Sequence, residues 1–312
     1  MRAPDGSGNP LAMAPDLSLR AATLIGFCAV ALWALLALFT TLSGDVPPLQ
    51  LLAMCFAIGG ILGLVAGARR GGHRAWRQPP AVWLLGVGGL FGYHLLYVLA
   101  LRAAPAVEAS LIAYLWPLLI VIFASFGRGL RAHHLIGAML GLAGAALIVT
   151  GGQSLSFSPQ NLPGYAIAFA AAFVWAGYSV LSGRLPQVPT DAVTGFCLAT
   201  AVLSFGAHLL LETTVWPRGI EWLAILGLGL GPVGLAFFLW DIGVKRGDLA
   251  VLGAASYAAP LLSTLVLIGA GQARASWAVA LACLLITAGA VLAARDMLWP
   301  GGGRKPDSST PS

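Results

Sequence analysis

Charge is what this chain most lacks. Of its 312 residues only 9% are Asp, Glu, Lys or Arg, while 59% are hydrophobic. Soluble domains carry about 25% charged residues, so an ordinary water-soluble fold is excluded and a polytopic helical membrane protein is implied. Cysteine is scarce too. Cys28, Cys55, Cys197 and Cys283 all lie in apolar runs with neither CxxC nor metal-ligand spacing, which argues against a disulfide framework or a metal centre. HExxH and GxSxG are missing, and no close pair of carboxylates falls at the middle of an apolar run. An intramembrane enzyme is therefore disfavoured, and no cofactor is implied. A net charge of +6 would suggest nucleic acid in a soluble protein. Here the basic residues sit in short loops between apolar runs, where they serve topology instead.

What is present is a series of ten apolar runs, at about 21–43, 47–68, 81–101, 106–126, 133–150, 164–184, 190–211, 220–243, 249–270 and 276–295. Each is near the ~20 residues needed to cross a bilayer core as a helix. With the N-terminus inside, fourteen of the 17 Lys and Arg fall on the cytoplasmic side; Arg102, Arg218 and Arg274 fall outside. The positive-inside rule thus places both termini in the cytoplasm. Residues 1–20 and the stretch from Pro300 to Ser312 are polar, and disorder is expected there; residues 297–312 form the cytoplasmic tail.

Tyr114-x-x-Pro117 recurs as Tyr257-x-x-Pro260, 143 residues later, and the same offset superposes Gly88 on Gly231, Tyr97 on Trp240 and Arg102 on Lys245. At an offset of 142, Trp33-Ala34 meets Trp175-Ala176 and Cys55 meets Cys197. The expected organisation is two five-helix repeats, 21–150 and 164–296, joined by a loop at 151–163. Five is odd, so the second repeat is inverted, an arrangement that in transporters places the site between the halves at the bilayer midplane. The fold class expected is all-α integral membrane, with ten transmembrane helices as two inverted five-helix repeats around a central cavity.

Glycine and proline interrupt the third and eighth runs in matching places, GVGGLFG and GLGLGPVG. Gly88, Gly92, Gly231 and Pro232 are accordingly candidates for helix breaks or gating. Gly229 to Gly234 fits GxGxxG, but a dinucleotide fingerprint needs a preceding strand. Gly59-x-x-x-Gly63-x-x-x-Gly67 and Gly137-x-x-x-Gly141 read as helix-packing ridges.

Rings away from the span ends want a cavity or a polar partner. On this basis Trp33, Tyr93, His94, Tyr97, Tyr114, Trp116, Trp175, Tyr178, Ser179 and Tyr257 are the candidate substrate-binding set. Trp83, Trp216, Trp222, Trp277 and Trp299, near span ends, read as interfacial belt residues. Glu108 is expected to pair with Arg102 at an outer rim, and Asp241 with Lys245 at i, i+4. A cavity of rings suits a flat aromatic solute by ring–ring contact and a cation by its ring faces. Both an exporter of aromatic metabolites and an efflux pump for aromatic or cationic toxic compounds remain open.

The tryptophan-alanine pair opening each half, the repeated Tyr-x-x-Pro and the string LIAYLWPLL resemble the drug/metabolite transporter superfamily with its EamA-type repeat, over about residues 21–296. The aromatic set is similar to that of its bacterial aromatic amino-acid exporter branch. The resemblance implies a multi-pass transporter of the bacterial inner membrane that exports small metabolites through a central cavity open alternately to either side. Its partners are a small-molecule substrate and the bilayer, with no nucleic acid; the oligomeric state stays open, a monomer being plausible.

Overall fold

Lipid offers the backbone no hydrogen-bond partner, so long apolar runs are obliged to close their own bonds as helices. A computed structural model describes residues 17–68, 72–126, 131–154 and 157–298. Among these residues the regular structure is entirely helical. The membrane-length helices are α1 (Leu19–Leu42), α2 (Pro48–Ala68), α3 (Pro80–Ala103), α4 (Ala106–Ala124), α5 (Ala132–Thr150), α6 (Pro159–Gly183), α7 (Ala192–Leu211), α8 (Ile220–Arg246) and α9 (Leu249–Gly269). These nine are long and apolar enough to cross a membrane. The tenth apolar run forms the shorter helix α10, Trp277–Ala293. Its 17 residues span about 26 Å at 1.5 Å per residue.

α1 begins at Leu19, two residues before the expected start, with Ser18 Oγ accepting from the amide of Ala21 as an N-cap. At the other end one more helical turn, Arg295–Leu298, crosses the expected boundary between the second repeat and the tail. The remaining expectations of terminal disorder, and the belt assignment of Trp299, fall outside the described residues. Leu84, Val202, Leu210 and Leu284 are each at least 69% exposed. An outer surface of this kind would be a liability in water and is matched to hydrocarbon.

The helices pair as α1 on α8, α3 on α6, α2 on α7, α5 on α10, and α4 on both α6 and α9. The principal pairs map onto one another when helices 1–5 are exchanged for 6–10: α1–α8 becomes α6–α3, and α2–α7 and α5–α10 map onto themselves. Backbones approach closely where glycines meet. A Cβ on Gly289 would lie 2.5 Å from the carbonyl oxygen of Gly137, and a Cβ on Gly137 would lie 2.5 Å from that of Gly289. Gly59 similarly faces Gly234 across α2 and α8, so these ridges are packing surfaces. Gly289→Val is expected to force α5 and α10 apart and to cost about 1–3 kcal/mol. Gly177→Ala, where an added Cβ meets nothing within 4 Å, should melt with the wild type. Thermal unfolding of both in detergent checks this, and equal melting would contradict it.

The helix interruptions have local causes. Pro117 and Pro260 lack an amide hydrogen and crowd the carbonyl four residues back. α4 therefore breaks after Ala113 at Tyr114-Leu115, and α9 after Ala255 at Ser256-Tyr257. α3 and α8 each contain one π turn, at Gly88–Gly92 and Gly231–Leu235. Both kinds of interruption recur 143 residues apart. α1 is also interrupted, between Trp33 and Leu36. We call the side of the molecule where α1 begins the near face and the opposite side the far face.

Candidate functional site

Four indoles meet at the centre. Trp33 on α1, Trp116 on α4, Trp175 on α6 and Trp240 on α8 each contact the other three, with centroids 5.1 to 6.3 Å apart. Four of the six pairs are edge-on, an arrangement the ring quadrupole favours over a face-to-face sandwich. The set spans both halves of the chain.

Other rings extend it. Phe237 packs on Trp33 and Trp175 and stacks on Phe56 at 5.5 Å. Tyr93 lies 5.3 Å from Trp175 and stacks on Tyr97 at an interplanar angle of 5°. Tyr178 packs on Trp175 at 5.3 Å, and His94 stands edge-on to Phe56 at 5.2 Å. Trp116, Trp175, Tyr178 and Trp240 are buried, whereas Trp33, Tyr93, His94, Tyr97 and Tyr114 are half-buried. The half-buried tyrosines and His94 thus lie on α3 and α4 and half-buried Trp33 on α1, whereas these buried rings lie on α4, α6 and α8.

The helix interruptions orient several of these groups. The indole N–H of Trp33 donates to the Pro232 carbonyl in the π turn of α8, at 3.1 Å. His94 Nδ1 lies 2.6 Å from the Leu90 carbonyl in the π turn of α3. A carbonyl only accepts, so Nδ1 carries the proton and a neutral His94 presents Nε2 as an acceptor. The break in α4 leaves the Leu118 amide without a helical acceptor, as at any helix start, and it donates to the Tyr257 hydroxyl at 3.2 Å. Trp240 donates to Ser179 Oγ at 3.1 Å. The Tyr97 and Ser110 hydroxyls lie 3.0 Å apart.

The expected residues thus divide. Trp33, Tyr93, His94, Tyr97, Trp116, Trp175 and Tyr178 form one connected ring system. Tyr114 is half-buried on α4 at the break. Ser179 and Tyr257 are 0% exposed, with their hydroxyls engaged by Trp240 and Leu118. Their observed contacts hold helices together. Gly88 and Gly92 lie in the first π turn, Gly231 and Pro232 in the second. Trp240, Phe237 and Phe56 are central here yet absent from the expected set. Trp240 could have been found, because the repeat superposes it on Tyr97.

The rim pairs differently from expectation. Arg102 reaches Glu212 at 2.8 Å, not Glu108. Glu212 is only 2% exposed on its side chain. It also accepts from the Leu49 and Gln50 amides at the start of α2 and lies 3.0 Å from His208 Nδ1. A carboxylate at a helix N-terminus is doubly favoured, by free amides and by the helix dipole. Glu108 instead accepts from the Tyr165 hydroxyl at 2.9 Å. The Asp241–Lys245 pair forms as expected, at 2.8 Å, but it is buried beside Trp240. Thr190 and Ser182 also donate to Asp241, and Lys245 donates to the Val188 carbonyl. Trp83, half-buried in the first turn of α3, packs on Phe196 and donates to the Trp76 carbonyl. Trp216, Trp222 and Trp277 are exposed.

Comparison with known proteins gives a consistent picture. The model of the EamA-like transporter family matches twice, over residues 20–150 and 162–295. The aromatic amino acid exporter YddG of Ancylobacter novellus is 54% identical over 283 residues, covering 89% of this chain and 98% of that protein. The aromatic amino acid exporter YddG of Escherichia coli is 27% identical over 257 residues, covering 78% of this chain and 86% of that protein. A crystal structure with 54% sequence identity superposes with a TM-score of 0.85 over 88% of this chain and 98% of its own. With a family match in each half and a solved relative over nearly its whole length, the chain belongs to the EamA-like transporter family.

Proposed function

We propose that this protein exports aromatic amino acids or closely related small aromatic metabolites, by alternating access through a chamber centred on the four tryptophans. The observation that carries the reading is that ring system: indoles from α1, α4, α6 and α8 in mutual contact, continued by half-buried tyrosines along α3 and α4. Rings recognise rings, at about 0.5–1.5 kcal/mol per pair beyond simple burial. The names of the two YddG relatives agree.

The finer architecture of this reading is ten membrane-spanning helices, α10 included, in two inverted repeats. The exchangeable helix pairings and the interruptions repeated at 143 residues support it. The near face is cytoplasmic, with both termini there, a reading that the distribution of Lys and Arg supports. Interruptions in α3, α4, α8 and α9 give each half a place to bend, and helix breaks in matching positions are where transporters move. Gly88, Gly92, Gly231 and Pro232 are the bending residues, and the half-buried tyrosines and His94 meet the substrate.

Cells depleted of their own aromatic exporters and expressing this chain are expected to release labelled phenylalanine faster than cells carrying the empty vector. An impermeant thiol reagent added outside should label Ser154→Cys and not Gln78→Cys. Unchanged release would sink the export reading, and equal labelling would sink the topology.

A further inference from the structure

At the near face a cavity of about 490 Å³ opens among the near ends of α1, α4, α5, α6, α8 and α9. Val180, Gly183 and Val244 are part of its lining. Val244 follows Trp240 by one helical turn, so about 6 Å of helix separates this cavity from the rings. Backbone fills the gap. A Cβ on Gly26 would lie 2.9 Å from the Gly243 Cα, and one on Gly183 would lie 2.6 Å from the Val244 carbonyl oxygen. Close-packed backbone of α1, α6 and α8 thus separates the cavity from the ring system.

Their chemistry is opposite. The ring system is uncharged, whereas the cavity is lined by Arg131, Arg184, Lys245, Arg246 and Asp248. Arg131 is held by Asp296 and Lys245 by Asp241. Arg184 and Arg246 are exposed and have no ion-pair partner among the described residues. Asp248 is the one carboxylate in the lining among the described residues. Its Oδ1 caps α9, accepting from the Ala250 and Val251 amides at 3.0 and 3.1 Å, which leaves Oδ2. Two unpaired guanidinium groups suit a carboxylate, to which guanidinium can bond with two parallel N–H donors. A nearby carboxylate oxygen suits an ammonium.

We propose that this cavity is a loading site for the zwitterionic head of an α-amino acid. Arg184 and Arg246 take the carboxylate and Asp248 the ammonium, before the side chain passes between these helices to the rings. This deepens the export reading and rests on it: the near compartment reads the head group, and the rings read the side chain.

The test uses proteoliposomes with the near face outward and follows entry of labelled phenylalanine. Phenylethylamine, which lacks the carboxylate, and 3-phenylpropionate, which lacks the ammonium, serve as competitors. The double variant R184Q/R246Q should raise the half-saturating phenylalanine concentration about tenfold, as expected for lost charged hydrogen bonds. Its maximal rate and its inhibition by phenylethylamine should not change. Asp248→Asn keeps a good helix cap and should weaken phenylalanine but not 3-phenylpropionate. R184K/R246K keeps both charges and the topology signal and should fall between wild type and R184Q/R246Q. No change in half-saturation, or equal changes for all three compounds, overturns the proposal. So does an R184Q/R246Q effect confined to vesicles containing anionic lipid, which would assign the guanidinium groups to lipid phosphate. A wild type that carries no phenylalanine at all fails the export reading itself, a result distinct from a transporting wild type indifferent to the variants.

Discussion

Trp175→Ala is expected to reduce phenylalanine transport by about 100-fold or more, in protein that still inserts and folds but melts lower, since truncating a buried tryptophan costs about 3–5 kcal/mol. Trp175 touches Trp33, Tyr93, Trp116, Tyr178, Phe237 and Trp240, more of the rings than any other member of the system touches. At about 1 kcal/mol per ring pair, the middle of the usual range, losing three productive contacts at the transport-limiting step removes about 3 kcal/mol and gives this factor, since each 1.4 kcal/mol is about tenfold. Trp175→Phe retains a ring in the same place and should recover much of the rate. Tyr97→Ala, at the edge of the system, should cost about tenfold. Initial rates in liposomes at matched protein content measure all three. If Trp175→Ala transports as the wild type does, the rings are packing and the chamber lies elsewhere.

The second large effect is on stability. Asp241→Ala strands the Lys245 ammonium, which is 5% exposed, and deprives Thr190 and Ser182 of their acceptor. Breaking a buried pair by removing one partner costs about 3–5 kcal/mol, whereas replacing both partners with apolar residues is often neutral. Asp241→Ala should therefore lower the unfolding midpoint sharply and reduce the yield of folded protein, and the double variant Asp241→Leu, Lys245→Met should recover much of both. Failure of the double variant to recover would mean that the pair serves a polar requirement other than mutual neutralisation. The location makes this informative: Asp241 follows Trp240, so the pair anchors the near edge of the ring system to α6 and the α6–α7 loop.

Much of this is legible in the residues. Span positions follow from apolar run length, and the breaks in α4 and α9 from proline, whose steric demand acts within one turn. The loosened turns in α3 and α8 follow from glycine and proline placed alike in both halves. Seven of the expected ring-site residues come together because rings remote from span ends have few other places to go. What periodicity cannot show is a partner far along the chain. Arg102 pairs with Glu212, 110 residues away, because α7 docks on α2 and leaves that carboxylate against the free amides of Leu49 and Gln50. Glu108, close in sequence, is the natural partner only in the absence of that docking. The same reason hides Phe237 and Phe56, ordinary apolar residues whose stacking at 5.5 Å arises from how α2 meets α8. Ser179 and Tyr257 resemble chamber residues by type, yet their hydroxyls close helix–helix bonds.

Counterflow tests the central claim most directly. Liposomes holding the purified protein and preloaded with unlabelled phenylalanine should transiently concentrate labelled phenylalanine. Tyrosine or tryptophan in the lumen should substitute for it, and leucine or glutamine should not. The same experiment with a pH gradient shows whether protons are coupled to the exchange. Accumulation driven equally well by luminal glutamine, or none with any aromatic amino acid, would contradict an aromatic chamber as the basis of selection.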